Sequence, residues 1–220
     1  MNLQVHTIVS QPFAENTYIL WNKGSREALV IDPGLEPDLI LDCLRQLDLF
    51  PVALLNTHGH ADHIGGNAAL KQAYPDAPLI IGETEAVMLT DPWVNLSAVF
   101  GEPVTSPPAD RTVIEGEVVE LGGIPLEVLL IPGHSPGHVL YLFRGQPFQL
   151  FGGDVLFRGG VGRFDFPGGS QRALFEGIRQ KLWPLPDDTV VYPGHGPVTT
   201  IGHEKQNNPF VGNATPGNRF

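Results

Sequence analysis

The chain has 220 residues, 42% of them hydrophobic and 17% charged, which supports a real core and excludes wholesale disorder. Its net charge of −11 leaves no electrostatic footprint for nucleic acid or an anionic membrane, so neither is expected as a partner. The single cysteine, Cys43, excludes an intramolecular disulfide and a cysteine-rich zinc fold. The 26 glycines and 21 prolines predict long ordered loops on a compact scaffold. The length suits one domain spanning 1–220, or two tightly joined halves. The first residues lack the basic start and apolar stretch of a secretory signal, and no run of about 18 apolar residues occurs. A cytoplasmic protein is the expectation, as a monomer or small homo-oligomer.

In chain order, Leu3–Val9, Thr17–Trp21 and Ala28–Ile31 read as strands, broken by Gln11-Pro12 and by Asn22–Ser25. Glu36–Leu49 reads as a helix, with Pro37 in its first turn and Ile40, Leu44 and Leu47 on one face. Pro51–Asn56 is a buried-type strand, Gly66–Tyr74 a helix and Pro78–Ile81 a strand, and Thr84–Thr90 is helical. Gly101–Arg111 holds three prolines and no apolar periodicity, so it is the expected join between the halves, as lid or as spacer. Strands follow at Glu117–Leu121, Pro125–Ile131, Val139–Phe143 and Phe148–Phe151. Ser170–Leu182 reads as a helix capped by Ser170, with Leu174, Ile178 and Leu182 on one face. Thr189–Tyr192 is a last strand. The pattern is α/β, with helices covering sheet faces.

The chemistry gathers at Thr57-His58-Gly59-His60-Ala61-Asp62-His63. At this composition a chance match to H-x-H-x-D-H is on the order of 6 in 10,000, so chance is a poor explanation. His58 and His60 are two apart and project to the same side of an extended backbone, where they can grip one ion. Asp62 and His63 are adjacent, so they point elsewhere and suit a second ion. His134, Asp154 and His195 each follow a strand directly, where α/β folds assemble their sites. The ligand sets are then His58, His60 and His134 for one ion and Asp62, His63 and His195 for the other, with Asp154 able to bridge. His6 reads as structural, and His138 and His203 as loop residues or supports behind the ligands. Without thiolate the sets suit two divalent ions, zinc first, with iron and manganese as alternatives.

These residues resemble the metallo-β-lactamase superfamily, whose hallmark is H-x-H-x-D-H followed by a distant His, Asp and His. The likeness runs from Val30-Ile31-Asp32-Pro33-Gly34 to Pro193-Gly194-His195-Gly196. It implies a four-layer αβ/βα sandwich of two pseudo-equivalent halves, with metals at one edge and Asp32 supporting the metal loops from behind. His134-Ser135-Pro136-Gly137-His138, Gly153-Asp154-Val155-Leu156-Phe157 and Gly162-Arg163-Phe164-Asp165 resemble the glyoxalase II-like (hydroxyacylglutathione hydrolase-like) branch, in its short bacterial YcbL type. Only 25 residues follow His195, fewer than the glutathione-holding extension of full-length glyoxalase II needs. Arg158 and Arg163 are the alternative anchors for a substrate carboxylate, and pairing with Asp165 is the competing role for Arg163.

The expected reaction is hydrolysis of a small-molecule thioester, possibly glutathione-linked, by water activated between two ions. Asp62 is the expected catalytic residue, orienting that water. Two further readings stand beside it: a persulfide dioxygenase with one iron on His58, His134 and Asp154, and a binding protein whose metals only brace its loops. Lactones and other esters would meet the same water.

Overall fold

The computed structural model describes residues 2–213. A first sheet contains β1 (Leu3–Ser10), β2 (Glu15–Asn22), β3 (Glu27–Ile31), β4 (Phe50–Leu55), β5 (Leu79–Gly82) and β6 (Arg111–Val113), in that order. β1 to β3 pair antiparallel, and β3 to β6 pair parallel. A second sheet uses β7 (Val118–Leu121), β8 (Ile124–Leu130), β9 (Val139–Phe143), β10 (Gln149–Gly153), β13 (Val190–Pro193) and β14 (Thr199–Thr200). Its spatial order is β14-β13-β10-β9-β8-β7. A small hairpin, β11 (Leu156–Phe157) with β12 (Gly160–Val161), stands apart.

Strand alternation builds the layers. In β2, Tyr18 and Leu20 face the space between the sheets, where they meet Leu126, Val128, Tyr141 and Phe151. Ile19 faces the other way and packs with Ile40 and Leu44 of α1 (Pro37–Gln46) and Leu70 of α3 (Asn67–Ala73). In β9, Leu140 and Leu142 face outward to Leu174 of α4 (Gln171–Gly177) and to Ile201 of α5 (Ile201–Asn207). A short α2 (Ala61–Ile64) lies at the sheet edge. The result is helix, sheet, sheet, helix, as the resemblance implies. Each fully buried Leu or Ile contributes roughly 1.5–3 kcal/mol, so the three apolar layers hold the ends of the strands in register.

Several boundaries differ from the sequence reading, each for a local reason. α1 stops at Gln46 rather than Leu49 because Asp48 takes a left-handed backbone, φ 54°, just past the helix end. Glu83–Leu89 winds as a 3₁₀ helix. The helix beginning after Ser170 is present, and the Ser170 Oγ accepts from the Ala173 N–H at 3.2 Å. Its last turn, Ile178–Leu182, widens to π geometry. α2, a 3₁₀ turn at Ser97–Phe100, β6, the β11–β12 hairpin, β14 and α5 are additions to the expected elements.

The chain passes between the sheets at 114–117, a few residues beyond the 101–111 segment expected to join the halves, because β6 still pairs with β5. The 101–110 segment is strapped down: Ser106 N–H donates to Leu89 O at 2.7 Å, and the Ser106 Oγ accepts from Asn67 Nδ2 at 2.9 Å. Among the described residues no helix is long and apolar enough to cross a membrane.

Candidate metal centre

Five strand ends meet at one edge of the sandwich. β3 delivers Asp32, β4 delivers residues 57–63, β8 delivers His134, β10 delivers Asp154 and β13 delivers His195. The loops released at these ends carry all seven ligand candidates and Asp32.

The first set is three imidazoles. His58 Nε2 lies 3.0 Å from His60 Nδ1, which lies 3.0 Å from His134 Nε2. Two imidazoles on one tetrahedral ion, with bonds of about 2.05 Å, hold their nitrogens about 3.3 Å apart. The three nitrogens thus have the separation of neighbours around one ion. The second set is Asp62, His63 and His195, whose ligand-type atoms lie within 4.8 Å of one another. His195 Nε2 is 3.3 Å from Asp62 Oδ2, and His63 Nε2 is 3.8 Å from it.

Asp154 stands between the sets. Its Oδ2 is 3.5 Å from both His134 Nε2 and His195 Nε2, and its Oδ1 is 3.5 Å from His63 Nε2. His63 Nε2 and Asp154 Oδ1 are buried and lack a hydrogen-bond partner. Buried polar atoms are almost always satisfied. An orphaned imidazole lone pair facing an orphaned carboxylate oxygen is what a cation between them would satisfy, so the residues fit divalent ions.

The outer partners make the same case. His63 Nδ1 donates to Asp32 Oδ2 at 3.1 Å, His134 Nδ1 to Arg163 O at 2.8 Å and His195 Nδ1 to Phe13 O at 3.1 Å. Thr57 Oγ1 gives its proton to Asp32 Oδ2 at 2.7 Å, which leaves it to accept from His58 Nδ1 at 3.1 Å. Each contact puts the proton on Nδ1 and turns the bare Nε2 inward, the arrangement that orients metal-binding histidines. Asp32 also accepts from the Thr57 N–H at 2.7 Å, and it does so from a left-handed backbone, φ 49°. Such strain persists only where the surroundings over-determine it.

Charge divides the two sets. Burial first, and then its neighbouring histidines, holds His58 well below the usual histidine range, and the same causes take His60 down to about 3. Both stay neutral with lone pairs free. Around the second set burial disfavours charge, but His63 and His195 outweigh it and hold the Asp62 carboxyl below the usual range. Likewise burial opposes charge on His63, yet Asp62, Asp154 and Asp32 raise it well above the usual value. The carboxylates here call for positive charge.

Sequence reasoning missed the residues that lock these loops together. Glu85 is fully buried; its Oε2 accepts from Gly59 N–H at 3.0 Å and its Oε1 from Gly137 N–H at 2.6 Å. It therefore ties the loop of His58 and His60 to the loop of His134. Asn16 Nδ2 donates to Pro193 O and Gly196 O, each at 2.9 Å, and Tyr18 OH donates to Pro193 O at 2.6 Å, fixing the loop of His195. His138 accepts from the Asp154 N–H at 3.0 Å and stacks on His58, a support behind the ligand candidates. His6 and His203 stand outside these ligand sets.

Packing around Asp154 is tight. A Cβ on Gly162 would fall 1.8 Å from Asp154 O. Gly162→Ala is expected to push the Asp154 loop aside and lower stability by roughly 2 kcal/mol, with metal content falling in parallel. Unchanged melting and metal content in that variant would show the loop to be compliant.

A cleft of about 420 Å³ opens over the centre, with His60, Asp62, His134, Asp154 and His195 on its floor. Arg163 lies on its lining, and both its Nε and Nη2 donate to Asp165 at 3.0 Å. Arg158 lines a separate shallow depression with His203.

An N/O ligand-type cluster at the strand ends of an αβ/βα sandwich, open to a cleft, is the framework of a metal-dependent hydrolase. The chain belongs to the metallo-β-lactamase superfamily, whose sequence profile matches residues 10–195. The hydroxyacylglutathione hydrolase GloC of Haemophilus influenzae is 39% identical over 214 residues, covering 96% of this chain and 98% of that one. The solved structure of the BLEG-1 B3 metallo-β-lactamase matches at a TM-score of 0.90 and 38% identity, covering 94% and 99% of the two chains. That of TTHA1623 in a di-iron-bound form matches at a TM-score of 0.82 and 38% identity, covering 94% and 100%.

Proposed function

We propose that this metal-dependent hydrolase cleaves thioesters, using His58, His60 and His134 to hold one divalent ion, Asp62, His63 and His195 to hold the other, and Asp154 to bridge them. The observation that carries the reading is the pair of ligand sets facing one carboxylate, Asp154, at 3.5 Å from each. With two ions bound, the chemistry supplied is a water acidified from about 15.7 toward ~7 and a polarised scissile carbonyl.

The chain's own residues do the rest. Asp62 is the catalytic residue in this reading. Its carboxylate is kept ionised by His63 and His195, and it lies on the cleft floor. It accepts a hydrogen from the attacking water and turns that water's lone pair toward the acyl carbon. Asp32 and Thr57 hold His63 and His58 in the tautomers that face inward. A thiol with a pKa near ~8.5 leaves as thiolate and needs no proton donor. The cleft lining, among the described residues, contains neither Tyr nor Lys to serve as one. That favours thioesters over amides. The likeness to a hydroxyacylglutathione hydrolase supports the same reaction type, and the N/O donors suit zinc, iron or manganese.

The test is thiol release from S-lactoylglutathione without oxygen, by protein of known metal content, with His58→Ala as the comparison. Release that rises to two metals per chain and falls at least about 100-fold in His58→Ala is the expected result. Oxygen uptake with a persulfide, and no thiol release from any thioester, would overturn it.

A further inference from the structure

The cleft above the ligand sets has an apolar wall built from Phe13, Leu96, Phe157, Val161 and Phe166. Leu96 is the revealing member. Its backbone is left-handed, φ 70°, a conformation that bulky residues rarely adopt. The flanking side chains hold it there. Asn95 Nδ2 donates to Met88 O at 2.9 Å and to Val104 O at 3.0 Å. Ser97 Oγ donates to Asn95 Oδ1 at 2.6 Å and accepts from the Val104 N–H at 2.9 Å. Two buried polar side chains thus keep a strained turn that sets an alkyl group on the cleft lining.

Away from the proposed ion sites, the same cleft offers little to an anion. Arg163 is the sole Lys or Arg on its lining among the described residues. Its Nε and Nη2 both donate to Asp165, and the group lies over the Phe166 ring, 4.2 Å from its centre. Its charge is matched by Asp165 and one of its two flat faces is covered. A glutathione thioester brings two carboxylates and one ammonium, and burying a carboxylate without a cation is unfavourable. An apolar body meets the opposite situation, because its burial against Leu96 and Phe166 removes apolar area from water.

We infer that this cleft selects ligands that are apolar and uncharged beside the scissile bond, with Leu96 as a specificity-determining residue and Asp165 keeping Arg163 from anionic substrates. The inference rests on the thioesterase reading for its reaction, but not for its binding preference.

The experiment compares one acyl group, lactoyl, on three thiols: benzyl mercaptan, N-acetylcysteamine and glutathione. With metal-loaded protein, kcat/KM is expected to be at least about tenfold higher for the benzyl thioester than for the glutathione thioester, with the small neutral thiol between them. Leu96→Ala narrows that ratio about tenfold. Asp165→Asn unpairs Arg163 and narrows it from the other side, by raising kcat/KM on the glutathione thioester. A glutathione thioester preferred by the wild-type protein overturns the inference and leaves the thioesterase reading standing.

If no thioester turns over, that reading falls, and binding decides the inference instead. Calorimetry with two inert thioethers, benzyl methyl sulfide and S-methylglutathione, then serves as the readout. Tighter binding of the uncharged thioether supports the preference, and tighter binding of S-methylglutathione overturns it.

Discussion

On the proposed assignment, Asp154→Ala is expected to empty both ion sites together. The side chain faces His134 and His195 through one oxygen and His63 through the other, so its loss removes a donor from each set at once. It also removes a negative charge that favours a cation between them. Loss of an outer partner of a ligand costs about 10–100-fold in affinity or activity. Loss of a shared ligand costs more, so thiol release is expected to fall by at least about 100-fold, with metal per chain dropping toward zero. Asp154→Asn keeps one carbonyl oxygen and is expected to recover part of the metal but little of the turnover. Metal analysis on the purified variants, beside their rates, checks this. An Asp154→Ala protein that keeps two metals per chain would show that Asp154 is no bridge.

Glu85→Ala unlatches the two loops that carry His58, His60 and His134. The Gly59 and Gly137 N–H groups are both buried, and each loses its acceptor. A buried donor left unsatisfied costs about 1–3 kcal/mol, so the variant should lose roughly 2–5 kcal/mol of unfolding free energy. Glu85→Gln keeps one acceptor oxygen and presents its NH₂ to the other donor, so about half of the loss should return. Chemical denaturation of the three proteins at matched metal content measures the series. A loss below about 1 kcal/mol in Glu85→Ala would mean that water replaces the carboxylate without strain.

The seven ligand candidates were legible because their signal is local. His58, His60, Asp62 and His63 sit within six positions, and His134, Asp154 and His195 each follow an apolar run that can only be a strand. The layers were legible for the same reason: the continuous apolar runs of β2 and β9, buried on both faces, and the spaced apolar residues of α1 and α4 are written in adjacent residues. What stayed hidden is long-range. Glu85 reads as one more polar residue on a helical turn, and only folding brings it against Gly137, 52 positions away. Asn16 and Tyr18 sit in an unremarkable strand, and their partners lie 175 to 180 positions on. β6 is three residues long and exists because β5 offers it an edge. Leu96 is a further case, since a left-handed leucine has no sequence signature. Arg163 was legible both as a candidate anchor and as a partner of Asp165 two positions on, and the structure has the pair.

The two sets of ligand candidates are divided between the sheets in the same way. His58 and His60 leave the first sheet and meet His134 from the second; Asp62 and His63 leave the first and meet His195 from the second. Neither set closes within one half of the chain. On the proposed assignment each ion is therefore a rivet through both plates of the sandwich. Its binding free energy adds directly to the cohesion of the halves, about 2.7 kcal/mol per site at a free concentration one hundred times Kd. Metal supply then governs more than turnover: it sets how firmly the two plates stay closed, and scarcity would part them first along the edge where the riveted loops meet.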